Sequence, residues 1–278
     1  MRDAIGLLTR LPVAVASTDR PGAAAFAVVG AVVGAVAAVP LALLGGPAGE
    51  PVLGAIAAIA SVAIVTGALH LDALADTADA LLARDPVAAE RARTDPHVGT
   101  GGAIALMLAI GAEIAAVASI VGAAGVLFTG SAFVAVMALA RVVPVIAVQT
   151  AVARSASLGL GSWFGASVSG TDAIVAAVSA ALVLAAAMAI SGAPWVLFVA
   201  AIVELLIGLA AVAFIARARG SLDGDGMGAA IEVSMIAGLV AVAVVSACAH
   251  GDALDPGARR DAQRQESLRS RDDPSAGW

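Results

Sequence analysis

Trp195-Val-Leu-Phe-Val-Ala-Ala-Ile-Val-Glu-Leu-Leu-Ile-Gly-Leu-Ala-Ala-Val-Ala-Phe-Ile-Ala216 is apolar from end to end except for Glu204. A helix of about 20 such residues crosses the hydrocarbon core of a bilayer. Within lipid it must satisfy its own backbone hydrogen bonds, which selects helix over open sheet. Comparable runs occupy 23–44, 52–69, 102–123, 126–150, 172–191 and 229–249. The expected fold is therefore all-α, a polytopic integral membrane helix bundle of about seven transmembrane helices. The third and fourth runs are separated only by small residues, which predicts a tight hairpin. Arg141 and Pro144 predict a kink in the fourth.

Composition agrees. The chain is 61% hydrophobic and only 13% charged, about half the charged share of a soluble domain. Tyr is absent and aromatics are scarce, so the interfacial belt is thin. Ala and Gly dominate, which allows close helix approach; Gly30-Ala-Val-Val-Gly34 is one small-xxx-small pair. All 15 basic residues are Arg, which excludes lysine chemistry such as Schiff bases. A net charge of −6 with no basic face excludes a nucleic-acid partner. The single Cys248 supports neither a disulfide nor a thiolate metal site. A signal-peptide reading, with Arg2 as the charged region and Ala14-Val-Ala16 as the cleavage site, fails because Thr9, Arg10 and Pro12 interrupt the apolar run. Residues 1–250 read as one membrane-embedded domain, and 251–278 as a polar, disordered tail.

Arginine placement sets the orientation. Arg2, Arg10, Arg20, Arg84, Arg91, Arg93, Arg154, Arg217 and Arg219 all fall on one side of a seven-span chain. The opposite loops, 45–51, near 124 and 192–194, carry none. The Arg-bearing loops are therefore expected in the cytoplasm, with the multi-pass protein in the cytoplasmic (inner) membrane. The tail falls outside despite its Arg residues, a violation softened by interspersed acids.

The chemistry concentrates on that face. In Gly67-Ala-Leu-His-Leu-Asp-Ala-Leu-Ala-Asp-Thr-Ala-Asp-Ala-Leu-Leu82, a helix puts Asp72, Asp76 and Asp79 within an arc of roughly 60°. Three such carboxylates repel one another, and a hard divalent cation such as Mg²⁺ is the usual compensation. The bland alternative is a solvated helix start whose acids complement the dipole. His70 points about 160° away from Asp72. A second cluster runs Gly220-Ser-Leu-Asp-Gly-Asp-Gly-Met-Gly-Ala-Ala-Ile-Glu232. Gly224, Gly226 and Gly228 suit close backbone approach to a phosphate or positive φ. Asp225 and Glu232, seven apart, share a helix face, and a membrane-embedded Glu is costly enough to imply function. A third stretch, Arg91-Ala-Arg-Thr-Asp-Pro-His-Val-Gly-Thr-Gly-Gly102, offers Asp95 and His97 for metal or protons. Its Gly99, Gly101 and Gly102 offer backbone donors to an anion. Arg154 suits bidentate phosphate recognition or membrane anchoring. Arg141, within a span, suits the same recognition or an ion pair with Glu113 or Glu204. Together these residues point to metal-assisted chemistry on a phosphate or pyrophosphate.

Leu69-His-Leu-Asp-Ala-Leu-Ala-Asp-Thr-Ala-Asp79 closely resembles the signature of the cobalamin synthase (adenosylcobinamide-GDP ribazoletransferase) family. The resemblance extends to Leu7-Leu-Thr-Arg-Leu-Pro-Val13, Asp95-Pro-His-Val-Gly-Thr-Gly101, Ala153-Arg154 with Gly159-Leu-Gly161, and Gly224-Asp-Gly-Met-Gly-Ala229. Ala73 and Ala80 stand where the family has Gly, and the stretch before Asp95 is altered. The resemblance implies a Mg²⁺-dependent transferase. It would pass the adenosylcobinamide phosphate of adenosylcobinamide-GDP to α-ribazole, or its 5′-phosphate, and release GMP. Asp72, Asp76, Asp79 and Asp225 would be the catalytic and metal-binding residues. His70, Asp95, His97, Arg141, Arg154, Gly224, Gly226 and Glu232 would bind substrate. Membrane lipid surrounds such an enzyme, and homo-oligomerisation is left open. The rivals are a CDP-alcohol-phosphotransferase-like membrane enzyme, whose signature this chain lacks, and a cation-coupled transporter, which would put its carboxylates near the bilayer midplane.

Overall fold

A computed structural model describes residues 1–13, 20–85, 87, 89, 97–150 and 159–251. Its helices are α1 (Arg2–Leu8), α2 (Phe26–Gly45), α3 (Pro51–Thr66), α4 (Leu69–Leu82), α5 (Thr100–Ala147), α6 (Gly159–Ser167), α7 (Gly170–Ser191), α8 (Pro194–Arg219) and α9 (Gly224–Gly251), with a 3₁₀ turn over Ala23–Ala25. Among the described residues there is no strand.

Five of these helices are long and apolar enough to cross a bilayer. The pair α3 and α4, bent by 88° at a short break, makes a sixth span if taken as one. The break is a pair of left-handed residues, Gly67 (φ 64) and Ala68 (φ 55). The second expected span, 52–69, thus ends as helix at Thr66. At 48 residues α5 is about twice the length a bilayer takes. It is interrupted at Gly125, whose φ of 78° and ψ of 172° only glycine adopts readily. Glu113 and Arg141 would stand about 42 Å apart in an unbroken helix. Both instead adjoin Glu232, so the chain reverses at Gly125. This is the expected hairpin.

The arm of α5 after Gly125 is the centre of the bundle. Ala135–Val145 is buried without interruption. Small residues bring its neighbours close. At Gly34 of α2 an added Cβ would stand 2.8 Å from Val134 Cα, and at Gly208 of α8 it would stand 2.8 Å from Val143. The Gly30/Gly34 pair therefore serves α2–α5 packing. Arg141 in this arm is fully buried.

The stretch 151–171, expected as loop, contains α6. Phe164 anchors it, buried with its ring 5.6 Å from that of Phe26. Gly161 lies against the loop before α9, where a Cβ would stand 2.8 Å from Asp223 Cα.

Candidate active site

The site forms where α4, the start of α5 and the start of α9 meet. In α4, Asp72 is exposed, Asp76 and Asp79 are partly buried, and His70 is buried. The turn thus separates His70 from Asp72 as the helix geometry requires. Asp76 lies in the field of Asp72, Asp225 and Asp79, with Arg219 the opposing charge. Asp225, far away in sequence, therefore joins the α4 carboxylates. Gly228 makes this approach feasible, since a Cβ there would stand 2.5 Å from that of Ala73.

Asp79 has a second engagement. Gly99 N–H donates to one of its oxygens at 2.7 Å and Gly102 N–H to the other at 2.9 Å. The anion that the glycine donors of this stretch meet is thus Asp79 itself, which caps α5. Each oxygen retains a lone pair.

Of the two expectations for the second-cluster glycines, positive φ is not met. None of Gly224, Gly226 and Gly228 has positive φ; that conformation falls at Gly220 (φ 75). The three lie within α9; the absence of Cβ at Gly228 serves contact with α4, and at Gly226 contact with Ile215 of α8 and the preceding loop. Asp223 orders that loop. One oxygen accepts Gly226 N–H at 2.9 Å and the other pairs with Arg219 at 2.6 Å.

Beneath the Asp face lies a wholly buried polar group: His70, Glu113, Arg141, Glu204 and Glu232. Glu113 adjoins Glu232, while Arg141 has Glu232 and Glu204 as charged neighbours. One Arg141 nitrogen donates to the Met137 carbonyl at 3.0 Å. Glu232 is thus inward of Asp225 on the same helix, as the seven-residue spacing implies. Arg141 is placed in this buried group, and His97 is exposed near the start of α5. Asp95 and Arg154, with Arg91, Arg93 and the residues after Gly251, lie outside the described residues.

Two contributors carried no chemical expectation. Arg10, read only as an orientation signal, has its side chain against Gly67, and its N–H donates to Val65 at 2.8 Å. Leu7 and Leu8 of α1 line a cavity of about 150 Å³ with His70, Asp72 and Asp225. The Leu7–Val13 motif was the available signal for both.

No three His, Cys, Asp or Glu side chains among the described residues are already gathered as a metal cage. The donor set still fits a hard cation. It is all oxygen, and Asp76 faces three carboxylates against one guanidinium.

A family model described as cobalamin-5-phosphate synthase matches residues 1–243. The chain belongs to that family. A cobalamin-5-phosphate synthase relative from Corynebacterium efficiens, named adenosylcobinamide-GDP ribazoletransferase, is 35% identical over 259 residues, covering 87% of this chain and 90% of its own. Proteins of the same name are 46% identical over 118 residues in Thiobacillus denitrificans (40% of this chain, 47% of the relative) and 35% over 147 residues in Allorhizobium ampelinum (49% and 55%). The chain spans about half the length of these last two. No solved structure matches. The cobalamin-5-phosphate synthase match contains every site residue described above, which favours this family over the CDP-alcohol-phosphotransferase and transporter alternatives.

Proposed function

We propose that the chain is a membrane adenosylcobinamide-GDP ribazoletransferase. The ribose hydroxyl of α-ribazole, or of its 5′-phosphate, attacks the cobinamide-side phosphorus of adenosylcobinamide-GDP. The bond from that phosphorus to the bridging oxygen breaks, and GMP leaves. The observation that carries this is the convergence of Asp72, Asp76 and Asp225 from two distant family motifs. The names of the relatives supply the substrate pair.

Asp72, Asp76 and Asp225, with the free lone pairs of Asp79, would hold Mg²⁺. When bound it neutralises charge on the pyrophosphate and its leaving group. One of these carboxylates takes the hydroxyl proton as the new P–O bond forms. Asp79 fixes α4 against α5, Gly228 fixes α4 against α9, and Asp223 with Arg219 fixes the loop between. Arg10 and Arg154 are the candidate clamps for phosphate oxygens.

The enzyme sits in the cytoplasmic membrane with these loops inside, as the Arg distribution supports. The test is GMP release by purified protein given Mg²⁺, adenosylcobinamide-GDP and α-ribazole. Release that requires all three supports the assignment; no release, or release independent of α-ribazole, refutes it.

A further inference from the structure

The cavity lined by Leu8, Phe26, Phe164, Met227 and Ile231 has a polarity at odds with a purely phosphate-binding site. Its walls are apolar side chains from α1, α2, α6 and α9. Its ionisable lining is limited to His70, Asp72 and Asp225. Two of these are carboxylates of the proposed reacting site. His70 is only 4% exposed, and its Nε2 has no partner among the described residues.

We propose that this cavity seats the flat apolar base of the acceptor nucleoside and so determines acceptor specificity. This rests on the ribazoletransferase assignment and adds to it which part of which substrate enters the chamber. Size supports it. The cavity measures about 150 Å³, and an apolar cavity of that volume holds one benzene-sized ring. The benzo ring of a benzimidazole fills the apolar end, while its imidazole ring and sugar lie toward Asp72. The Phe26 and Phe164 rings, tilted by 38° to each other, supply an aromatic wall.

Polarity supports the same occupant. A benzimidazole nucleoside has one ring nitrogen free to accept a hydrogen bond, and His70 Nε2, which lacks a partner, donates to it in the tautomer that carries the proton there. Guanine, the base of the other substrate, carries several donors and acceptors. Against Leu, Phe, Met and Ile these would go unpaired, at substantial cost. The chamber therefore selects acceptor over donor nucleoside. A sugar attached to a base seated here emerges beside Asp72 and Asp225, where the proposed reaction needs its hydroxyl.

Two measurements test this separately from the reaction itself. The first is equilibrium dialysis of 5,6-dimethylbenzimidazole against the full-length protein in detergent, without donor substrate. Wild type should bind it at least tenfold more tightly than Leu8→Trp, whose indole fills the cavity. Equal uptake by both means partition into detergent and overturns the subsite. The second is steady-state transfer by Leu8→Trp and by the milder Phe164→Leu. Each should raise KM for α-ribazole, Leu8→Trp by tenfold or more, with KM for adenosylcobinamide-GDP changed less than twofold. If wild type transfers normally and neither variant shifts the α-ribazole KM, the subsite is wrong and the activity stands. If wild type binds the benzimidazole but transfers nothing, the activity is wrong and the subsite stands.

Discussion

The Gly102 N–H donates to the Asp79 carboxylate at 2.9 Å across 23 residues of sequence. This bond ties the acidic helix to the start of the next span. Asp79 is thus a structural cap as well as a member of the acid face, and the two roles predict different losses.

Asp79→Asn keeps an acceptor for one backbone donor and removes the charge. Asp79→Ala removes both bonds. Losing a helix cap costs about 0.5–2 kcal/mol. In detergent, Asp79→Ala should therefore lower the thermal midpoint clearly more than Asp79→Asn does, while both reduce transfer. Identical thermal midpoints for Asp79→Ala and wild type would remove the capping role.

Asp76 stands at the centre of the carboxylate group. Asp76→Asn keeps the volume and should reduce transfer more than tenfold, equivalent to at least ~1.4 kcal/mol of transition-state stabilisation. The variant should still purify as a monodisperse membrane protein. Wild-type activity should vanish with EDTA and return with Mg²⁺ or Mn²⁺. Full activity after thorough chelation would dismiss the metal.

Gly228→Ala introduces a Cβ 2.5 Å from the Ala73 Cβ. Helices α4 and α9 must then separate, which pulls Asp225 from Asp76. Transfer should fall at least tenfold. Gly111→Ala is the matched control, because a Cβ there meets nothing within 4 Å. It should leave transfer unchanged and stabilise the helix by about 0.5–1 kcal/mol. Normal transfer by Gly228→Ala would show that the helix spacing tolerates a methyl group.

Arg141 is a buried cation facing Glu204 and Glu232. Removing a buried cation leaves the facing buried carboxylates uncompensated, which is destabilising. Arg141→Met should therefore express poorly or melt early, and adding Glu204→Gln should recover part of the loss. A simple phosphate-binding role predicts the reverse, with normal melting and a raised KM for adenosylcobinamide-GDP.

Spans and acid faces are legible because they are one-dimensional patterns. Apolar runs give the spans, small residues near 124 give the hairpin, and the spacing of Asp72, Asp76 and Asp79 gives the face. Three-dimensional pairing was hidden. Nothing local marks Asp79 as the partner of Gly99 and Gly102, or Glu113 as the neighbour of Glu232. The break at Gly67 and Ala68 was hidden too, because alanine seldom adopts positive φ. Gly224, Gly226 and Gly228 read as suited to a phosphate or to positive φ, yet none has positive φ and two of them pack against neighbouring elements. Absence of Cβ serves close packing as readily as it serves turning, and sequence alone does not separate the two.

The final prediction concerns which faces of the membrane the loops occupy. Alternating crossings put Ala83 and Ser221 at one end of the bundle and Pro47 and Ala193 at the other. Arg-rich loops belong at the Ala83 end, which assigns it to the cytoplasm. Cys248 is the single native cysteine and is exposed, so the background must be Cys248→Ala. In intact cells an impermeant thiol reagent should label Pro47→Cys and Ala193→Cys while sparing Ala83→Cys and Ser221→Cys. Inverted vesicles should exchange the two patterns. The hairpin at Gly125 is what makes the alternation work. Without that reversal, Ala83 and Ser221 would lie on opposite sides, and Asp76 would not meet Asp225. Labelling of Ser221→Cys from outside with Ala83→Cys reactive only from inside would therefore defeat the seven-span topology and the composite site together.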